Sequence, residues 1–192
     1  MYAFNYHAPK TVRQAASLLA KNADGKVLAG GQTLLPTMKQ RLASPSALID
    51  LGHAEGLSGI EQKGRNIVIG AMTRHVEVAT SAIVKNAIPG LAALAEGIGD
   101  AAVRNRGTIG GSISHLDPGA ELPVAAAALN VTIEIASRNG TRNVAFRDFA
   151  EGYLTNCLEP DEIVTAIRWP VAATRTGAAF HEFNRRPDDF AI

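Results

Sequence analysis

The stretch Lys26-Val27-Leu28-Ala29-Gly30-Gly31-Gln32-Thr33-Leu34 places a short apolar strand directly before two glycines and a hydroxyl. Glycine accepts a positive φ and lets the backbone approach a ligand closely, so consecutive N–H groups can converge on an anion. The hydroxyl of Thr33 is a further donor for a phosphate oxygen. We therefore predict that an anionic group binds to the first loop, which consists of Ala29, Gly30, Gly31, Gln32, Thr33 and Leu34.

The second loop, Thr108-Ile109-Gly110-Gly111-Ser112, repeats this chemistry with a hydroxyl, paired glycines and another hydroxyl. We expect a glycine-rich turn here, and two such loops could hold one pyrophosphate from two sides. Neither loop matches G-x-G-x-x-G or G-x-x-x-x-G-K-[ST], so a Rossmann or P-loop site is not indicated. A glycine pair after a strand is more often a structural turn, and that interpretation stays open at this point.

The composition of the chain narrows the class of protein. Its 192 residues are 46% hydrophobic and 19% charged, which is typical of a globular protein. A net charge of +1 favours neither nucleic acid nor an anionic membrane. The single cysteine, Cys157, excludes a disulfide framework and a cysteine-ligated iron–sulfur or zinc site within the chain. Because a free cysteine suits a reducing compartment and no signal peptide or apolar span is evident, we expect a cytoplasmic protein.

The predicted helices and strands are mixed along the chain. An amphipathic helix is predicted at residues 11–22, and Asn139-Gly140 indicates the tight turn of a hairpin between 131–136 and 142–146. Thr73 is predicted to cap a helix. Further helices are expected at 33–40, 89–97 and 121–129, and strands at 26–29, 47–51, 66–71 and 163–169. Because the two types interleave without strict alternation, the sequence predicts an α+β fold.

The polar side chains give no pattern for catalysis or metal binding. The five histidines lack H-x-x-x-H or H-E-x-x-H spacing. Ser114, His115 and Asp117 fall on one predicted loop without a G-x-S-x-G elbow, so a nucleophile–base pair is not indicated. Asp117 and Glu121, four residues apart, either stabilise a helix start or contact a cofactor. We therefore predict no catalytic residue and no metal site.

Several segments in order resemble the FAD-binding medium subunits of molybdenum hydroxylases, the carbon monoxide dehydrogenase and xanthine dehydrogenase family. The first loop, extended by Leu35-Pro36, resembles the first FAD-contacting loop of these subunits, and Val103-Arg104-Asn105-Arg106-Gly107 with the second loop resembles the second. Further similar segments are Ile69-Gly70-Ala71-Met72-Thr73, Asp117-Pro118, Glu121-Leu122-Pro123, Asp161-Glu162-Ile163-Val164 and Arg185-Arg186-Pro187-Asp188-Asp189-Phe190-Ala191. The similarity covers nearly the whole chain.

The resemblance implies an α+β, two-lobed FAD-binding fold of the PCMH and carbon monoxide dehydrogenase flavoprotein type. The implied lobes are residues 1–56 and 57–175, and 176–192 would begin a linker to a C-terminal domain that this sequence lacks. The implied FAD contacts are Ala29, Gly30, Gly31, Gln32, Thr33, Leu34, Ala71, Thr73, Ile98, Thr108, Ile109, Gly110, Gly111, Ser112, Glu121 and Val164.

Three of these residues are implied to contact the flavin part of FAD. Glu121 stands where the family usually has an Asp that contacts the sugar-like chain of the flavin. Val164 falls where an aliphatic residue packs near the flavin ring. Ile98 falls where some members place an aromatic residue on the ring. Some relatives also have a Lys near the ring at about His181 or Glu182, and this chain has none there.

The function implied by the resemblance is electron transfer. FAD would take electrons from iron–sulfur clusters and pass them to NAD, a quinone or another acceptor. The clusters would belong to an iron–sulfur small subunit, and the molybdenum cofactor to a large subunit. Two alternatives stay open. One is a free-standing flavin-dependent reductase of the same FAD fold, and the other is a non-catalytic nucleotide-binding assembly module.

Overall fold

The computed structural model describes residues 1–186 and 189–192, so Pro187 and Asp188 of the last family-like segment lie outside the described residues. The strands are β1 (Asn5–His7), β2 (Lys26–Leu28), β3 (Ala47–Asp50), β4 (Ile60–Lys63), β5 (Asn66–Gly70), β6 (Thr132–Ser137), β7 (Gly140–Ala145), β8 (Ala150–Gly152), β9 (Thr155–Asn156) and β10 (Ile163–Pro170). The helices are α1 (Val12–Lys21), α2 (Leu34–Lys39), α3 (His75–Thr80), α4 (Ala82–Ala87), α5 (Pro89–Glu96), α6 (Ala101–Arg104), α7 (Ile109–His115), α8 (Glu121–Ala128) and α9 (Phe146–Phe149), with a short 3-10 turn at Leu51–His53.

The first sheet has three parallel strands in the order β1-β3-β2. Helix α1 begins where the Thr11 side chain accepts a hydrogen bond from the Gln14 N–H, and it packs its buried alanines against the sheet. Strands β2 and β3 end side by side, because Leu28 pairs with Asp50. The segments that follow both strands therefore leave the sheet at the same edge.

The second sheet is antiparallel, with five strands in the order β4-β5-β10-β6-β7. Its central strand β10 carries Ile167 and Trp169, both fully buried. Helices α3, α5, α7 and α8 contribute buried apolar side chains to the same core. The predicted hairpin is confirmed, since β6 and β7 pair up to Ser137 and Gly140.

Two local predictions are wrong. Thr73 does not cap a helix, because α3 begins at His75 after Arg74, and the Thr73 hydroxyl instead bonds to the backbone of Gly59. The second loop is not a turn but the first turn of α7, with the Thr108 side chain as its N-cap. Contacts with β5 override the low helix propensity of the two glycines.

The α+β character of the fold is confirmed by the two sheets and the helices around them. The first sheet uses residues 5–50 and the second residues 60–170, while the division at 56/57 stays a prediction. Within the described ranges, none of the helices combines the length and the apolar character needed to cross a membrane.

Candidate functional site

A cleft of about 500 Å³ opens at the edge of the first sheet where β2 and β3 end. Residues 28–30 line it on one side and residues 50–54 on another. Arg74, Arg106 and Thr108 bring the second half of the chain to the same cleft. Ligands of parallel sheets bind outside the carboxyl ends of the strands, so the position of this cleft is that of a binding site.

The first loop is packed directly against the backbone that leads into the second loop. A Cβ atom on Gly30 would lie 2.3 Å from the carbonyl oxygen of Arg106 and 2.8 Å from the Cα of Gly107. Ala29 extends the contact, since its Cβ would lie 3.7 Å from a Cβ on Gly111. Only glycine at position 30 permits this approach, and it brings together two loops that lie far apart in sequence.

The first loop presents unpaired backbone donors. Among the described residues, no hydrogen bond uses the N–H groups of residues 30–34. Gly31 has a φ of 74°, a left-handed conformation that changes the direction of the backbone between successive N–H groups. The loop is partly exposed, and the side chains of Gln32 and Thr33 are exposed. Five consecutive free donors beside a cleft are suited to an oxyanion.

Four of the five N–H groups of the second loop, those of residues 109–112, are engaged within the protein. Ile109 donates to the carbonyl oxygen of Thr73 at 3.0 Å, and Gly110 donates to that of Ala71 at 2.9 Å. Gly111 donates to the Thr108 hydroxyl at 3.2 Å, and Ser112 to the Thr108 carbonyl at 3.1 Å. The second loop can therefore offer an anion the hydroxyl protons of Thr108 and Ser112 and the Thr108 N–H, but not the backbone amides of residues 109–112.

The glycines of the second loop serve close packing. A Cβ on Gly110 would lie 2.4 Å from the Cβ of Ala71, at the end of β5. Ala71 is buried and fixes the distance between α7 and the second sheet. Thr73 is also fully buried, and its hydroxyl both accepts from and donates to the backbone of Gly59, at 3.0 and 3.1 Å. The structure gives Ala71 and Thr73 supporting roles, and their contact with FAD stays a prediction.

Three of the sixteen contacts implied by the resemblance line the cleft, namely Ala29, Gly30 and Thr108, and four of the others are buried away from it. Ile98, Ile109 and Val164 are buried in the hydrophobic core of the second sheet. Glu121 is buried at the start of α8, 8% exposed. Burial raises the pKa of Glu121. A hydrogen bond from its own backbone lowers this pKa in part, and the nearby carboxylates of Glu182 and Asp117 raise it further. Contact of these four residues with the flavin stays a prediction.

His75 lies beneath the segment that precedes the second loop. A Cβ on Gly107 would lie 2.7 Å from its imidazole ring, and its own N–H donates to the Gly107 carbonyl at 3.0 Å. The ring is 5% exposed, and burial lowers the pKa of His75 from 6.5 to about 4. The side chain is therefore a neutral support of the second loop at physiological pH.

Sequence reasoning missed several residues of the cleft, among them Asp50, His53 and Arg74. Asp50 ends a strand, as Leu28 does, and Gly52 follows it closely. Two apolar strands that each end just before a glycine indicate that the segments after them lie at the same edge of a sheet. This holds only if the two strands are parallel neighbours. That pairing depends on long-range contacts, which the local pattern does not contain.

Comparison with known proteins assigns the family. Residues 2–172 match the family described as the FAD binding domain in molybdopterin dehydrogenase. The chain is 42% identical over 189 residues to the carbon monoxide dehydrogenase medium chain of Hydrogenophaga pseudoflava, covering 98% of this chain and 66% of that protein. It is 37% identical over 190 residues to the 6-hydroxypseudooxynicotine dehydrogenase complex subunit alpha of Paenarthrobacter nicotinovorans, covering 98% of this chain and 64% of that protein.

Solved structures agree with this assignment. Carbon monoxide dehydrogenase from Hydrogenophaga pseudoflava, in a form without the Mo-pyranopterin moiety of its cofactor, matches with a TM-score of 0.97. The identity is 42%, over 99% of this chain and 67% of that chain. This chain therefore belongs to the family of FAD-binding domains of molybdopterin dehydrogenases. The predicted family and its α+β FAD-binding fold are confirmed, and the chain spans slightly under two thirds of the length of the two relatives above.

A more distant likeness concerns the fold alone. UDP-N-acetylenolpyruvylglucosamine reductase from Thermus caldophilus matches with a TM-score of 0.50 over 87% of this chain, at 16% identity. The two proteins thus share a fold.

Proposed function

We propose that this chain is the FAD-binding, electron-transferring part of a molybdenum hydroxylase. The observation that carries the proposal is the row of five unpaired N–H groups at residues 30–34, placed beside a cleft and packed against the segment leading to the second loop. Membership of the family supports FAD as the ligand. The donors suit the pyrophosphate of FAD, because successive backbone N–H groups form an anion-binding concavity.

The two loops would divide the binding of the pyrophosphate. The amides of Gly30, Gly31 and Gln32 would donate to its oxygens, and Thr33 would add a hydroxyl. From the other side, Thr108 would donate its hydroxyl proton, because its oxygen already accepts from Gly111. The N–H groups of residues 109–112 are engaged within the protein, so that loop would act through its hydroxyls and the Thr108 N–H. When bound, FAD supplies the capacity to store two electrons and release them singly or together.

Glu121 is the candidate for the flavin end of the ligand. Its carboxyl would accept a hydrogen bond from a hydroxyl of the sugar-like chain of the flavin. Ile98 and Val164 would supply apolar side chains near the flavin ring. These roles hold and position the cofactor, which itself supplies the redox chemistry.

The proposed partners are an iron–sulfur small subunit and a large subunit with the molybdenum cofactor. Support comes from the relatives, which are named as a medium chain and as a subunit of a complex. The single cysteine of this chain agrees with a cluster held elsewhere. Electrons would leave through FAD to NAD, a quinone or another acceptor, in the cytoplasm.

Affinity purification of the tagged chain from its source cells tests this function. The proposal predicts a yellow complex in which iron, acid-labile sulfide and molybdenum co-purify with the chain. A yellow chain without these elements, which reduces a substrate by itself, would instead establish a free-standing reductase. A colourless chain, even after incubation with FAD, would leave only the non-catalytic nucleotide-binding module.

A further inference from the structure

Asp50 occupies the cleft beside the first loop. It is the last residue of β3 and pairs with Leu28, the last residue of β2. Adjacent strands lie about 4.8 Å apart, and Gly30 follows two residues after Leu28. Asp50 and Gly30 both line the cleft, so one ligand the size of a nucleotide spans the carboxylate and the free amides.

The carboxylate of Asp50 is held in one orientation. The Tyr6 hydroxyl donates to Oδ2 at 2.6 Å, and the Gly52 N–H donates to Oδ1 at 2.8 Å. The hydrogen bond to Asp50 raises the pKa of the Tyr6 phenol, which keeps it a donor at neutral pH. Each carboxylate oxygen keeps a further lone pair, because a carboxylate has about four acceptor sites. No Lys or Arg of the described residues forms an ion pair with Asp50.

The cleft therefore joins two opposite kinds of chemistry. The free amides of residues 30–34, with Arg74 and Arg106 of the same cleft, attract an anion, whereas the carboxylate of Asp50, which forms no ion pair among the described residues, accepts hydrogen bonds. A phosphate next to a sugar with free hydroxyls fits both. We propose that Asp50 accepts a hydrogen bond from a ribose hydroxyl in the adenosine half of FAD, so that it selects a dinucleotide with an unsubstituted ribose. This inference rests on the proposed function, and it names the part of the ligand that the β3 edge recognises.

The test compares ligands that differ in one group. ADP, 2′-deoxy-ADP, 3′-deoxy-ADP and inosine diphosphate compete with FAD, whose displacement is followed by flavin fluorescence. In the unaltered chain, one deoxy form should compete roughly tenfold more weakly than ADP, the usual effect of losing a hydrogen bond to a charged group. Asp50→Asn should reduce this difference to about twofold or less. The ratio between the affinities for ADP and inosine diphosphate should stay unchanged.

Two further variants separate recognition from a structural role. Tyr6→Phe keeps the carboxylate but frees its orientation, so it should lower the discrimination partly. Asp24→Asn removes an exposed carboxylate in the turn before β2 and should leave every ratio unchanged. Melting temperatures of all variants show whether the fold is kept, and the ratios between ligands do not depend on a uniform loss of affinity.

The outcomes separate this inference from the proposed function. If Asp50→Asn weakens all four ligands equally, Asp50 only supports the backbone, and the inference is wrong. The inference is also wrong if Asp50→Asn removes the difference in affinity between ADP and inosine diphosphate, since Asp50 would then contact the base. If FAD does not bind to the unaltered chain, the proposed function fails together with the inference.

Discussion

Replacement of Gly30 by alanine tests the packing of the two loops. The φ of Gly30 lies outside the left-handed region, so the backbone allows alanine, and the contacts with Arg106 and Gly107 oppose it. The added Cβ would lie 2.3 Å from the Arg106 carbonyl oxygen, whereas close C···O contacts in proteins begin near about 3.3 Å. The two segments must therefore separate by about 1 Å. Overpacking of this kind destabilises a protein by about 1–3 kcal/mol.

Two assays measure the effect of Gly30→Ala. Thermal unfolding followed by circular dichroism should show a melting temperature about 5 °C lower, as expected for a domain of this size. A fluorescence titration should show FAD affinity about tenfold to 100-fold weaker, because a 1 Å displacement separates the donors of the two loops. Gly152→Ala is the matched control, since its Cβ would meet no atom within 4 Å. If both variants melt and bind FAD alike, the argument from close approach is refuted.

Three other predictions concern stability. Gly110→Ala should lower the free energy of unfolding by about 1–3 kcal/mol, because the added Cβ would lie 2.4 Å from the Cβ of Ala71. Adding Ala71→Gly to this variant should partly restore the stability. If urea unfolding shows that the losses of the two single variants add up in the double variant, the explanation is wrong. The pKa of His75 is about 4 in the folded state and 6.5 in the unfolded state, so the unfolded state binds the proton first as the pH falls. The free energy of unfolding should therefore decrease by up to about 3 kcal/mol between pH 6.5 and pH 4. A His75→Gln variant with the same dependence of stability on pH would contradict this explanation. The raised pKa of Glu121 means that its charge destabilises the fold at neutral pH. Glu121→Gln should therefore melt higher than the parent at pH 7 and no higher at pH 4, and an equal or lower melting temperature at pH 7 would contradict the burial argument.

Local sequence patterns predicted the elements that depend on periodicity and turn chemistry. Helix α1 and the hairpin of β6 and β7 agree with expectation to within one or two residues. The first strand, Asn5–His7, was not predicted, because its polar and partly exposed side chains have no apolar alternation. It forms through pairing with β3, a contact across 42 residues.

The candidate site was predicted in part for the same reason. The first loop contains its own chemistry in consecutive residues, so the sequence points to its donors. The second loop was expected to use amides as well, but the carbonyl oxygens of Thr73 and Ala71 occupy those of Ile109 and Gly110. Asp50 joins the cleft only because β2 and β3 are parallel neighbours. Interactions made across the chain decide these roles, and the local sequence does not contain them.

The visible absorption spectrum of the purified chain, taken after incubation with excess FAD and desalting, tests the central claim most directly. The account predicts flavin bands that stay with the protein, and FAD rather than FMN released on denaturation. Under the same treatment Gly30→Ala should retain less flavin, and Gly152→Ala as much as the unaltered chain. A colourless unaltered chain, or one that retains FMN and FAD equally, would contradict binding through the pyrophosphate at the first loop.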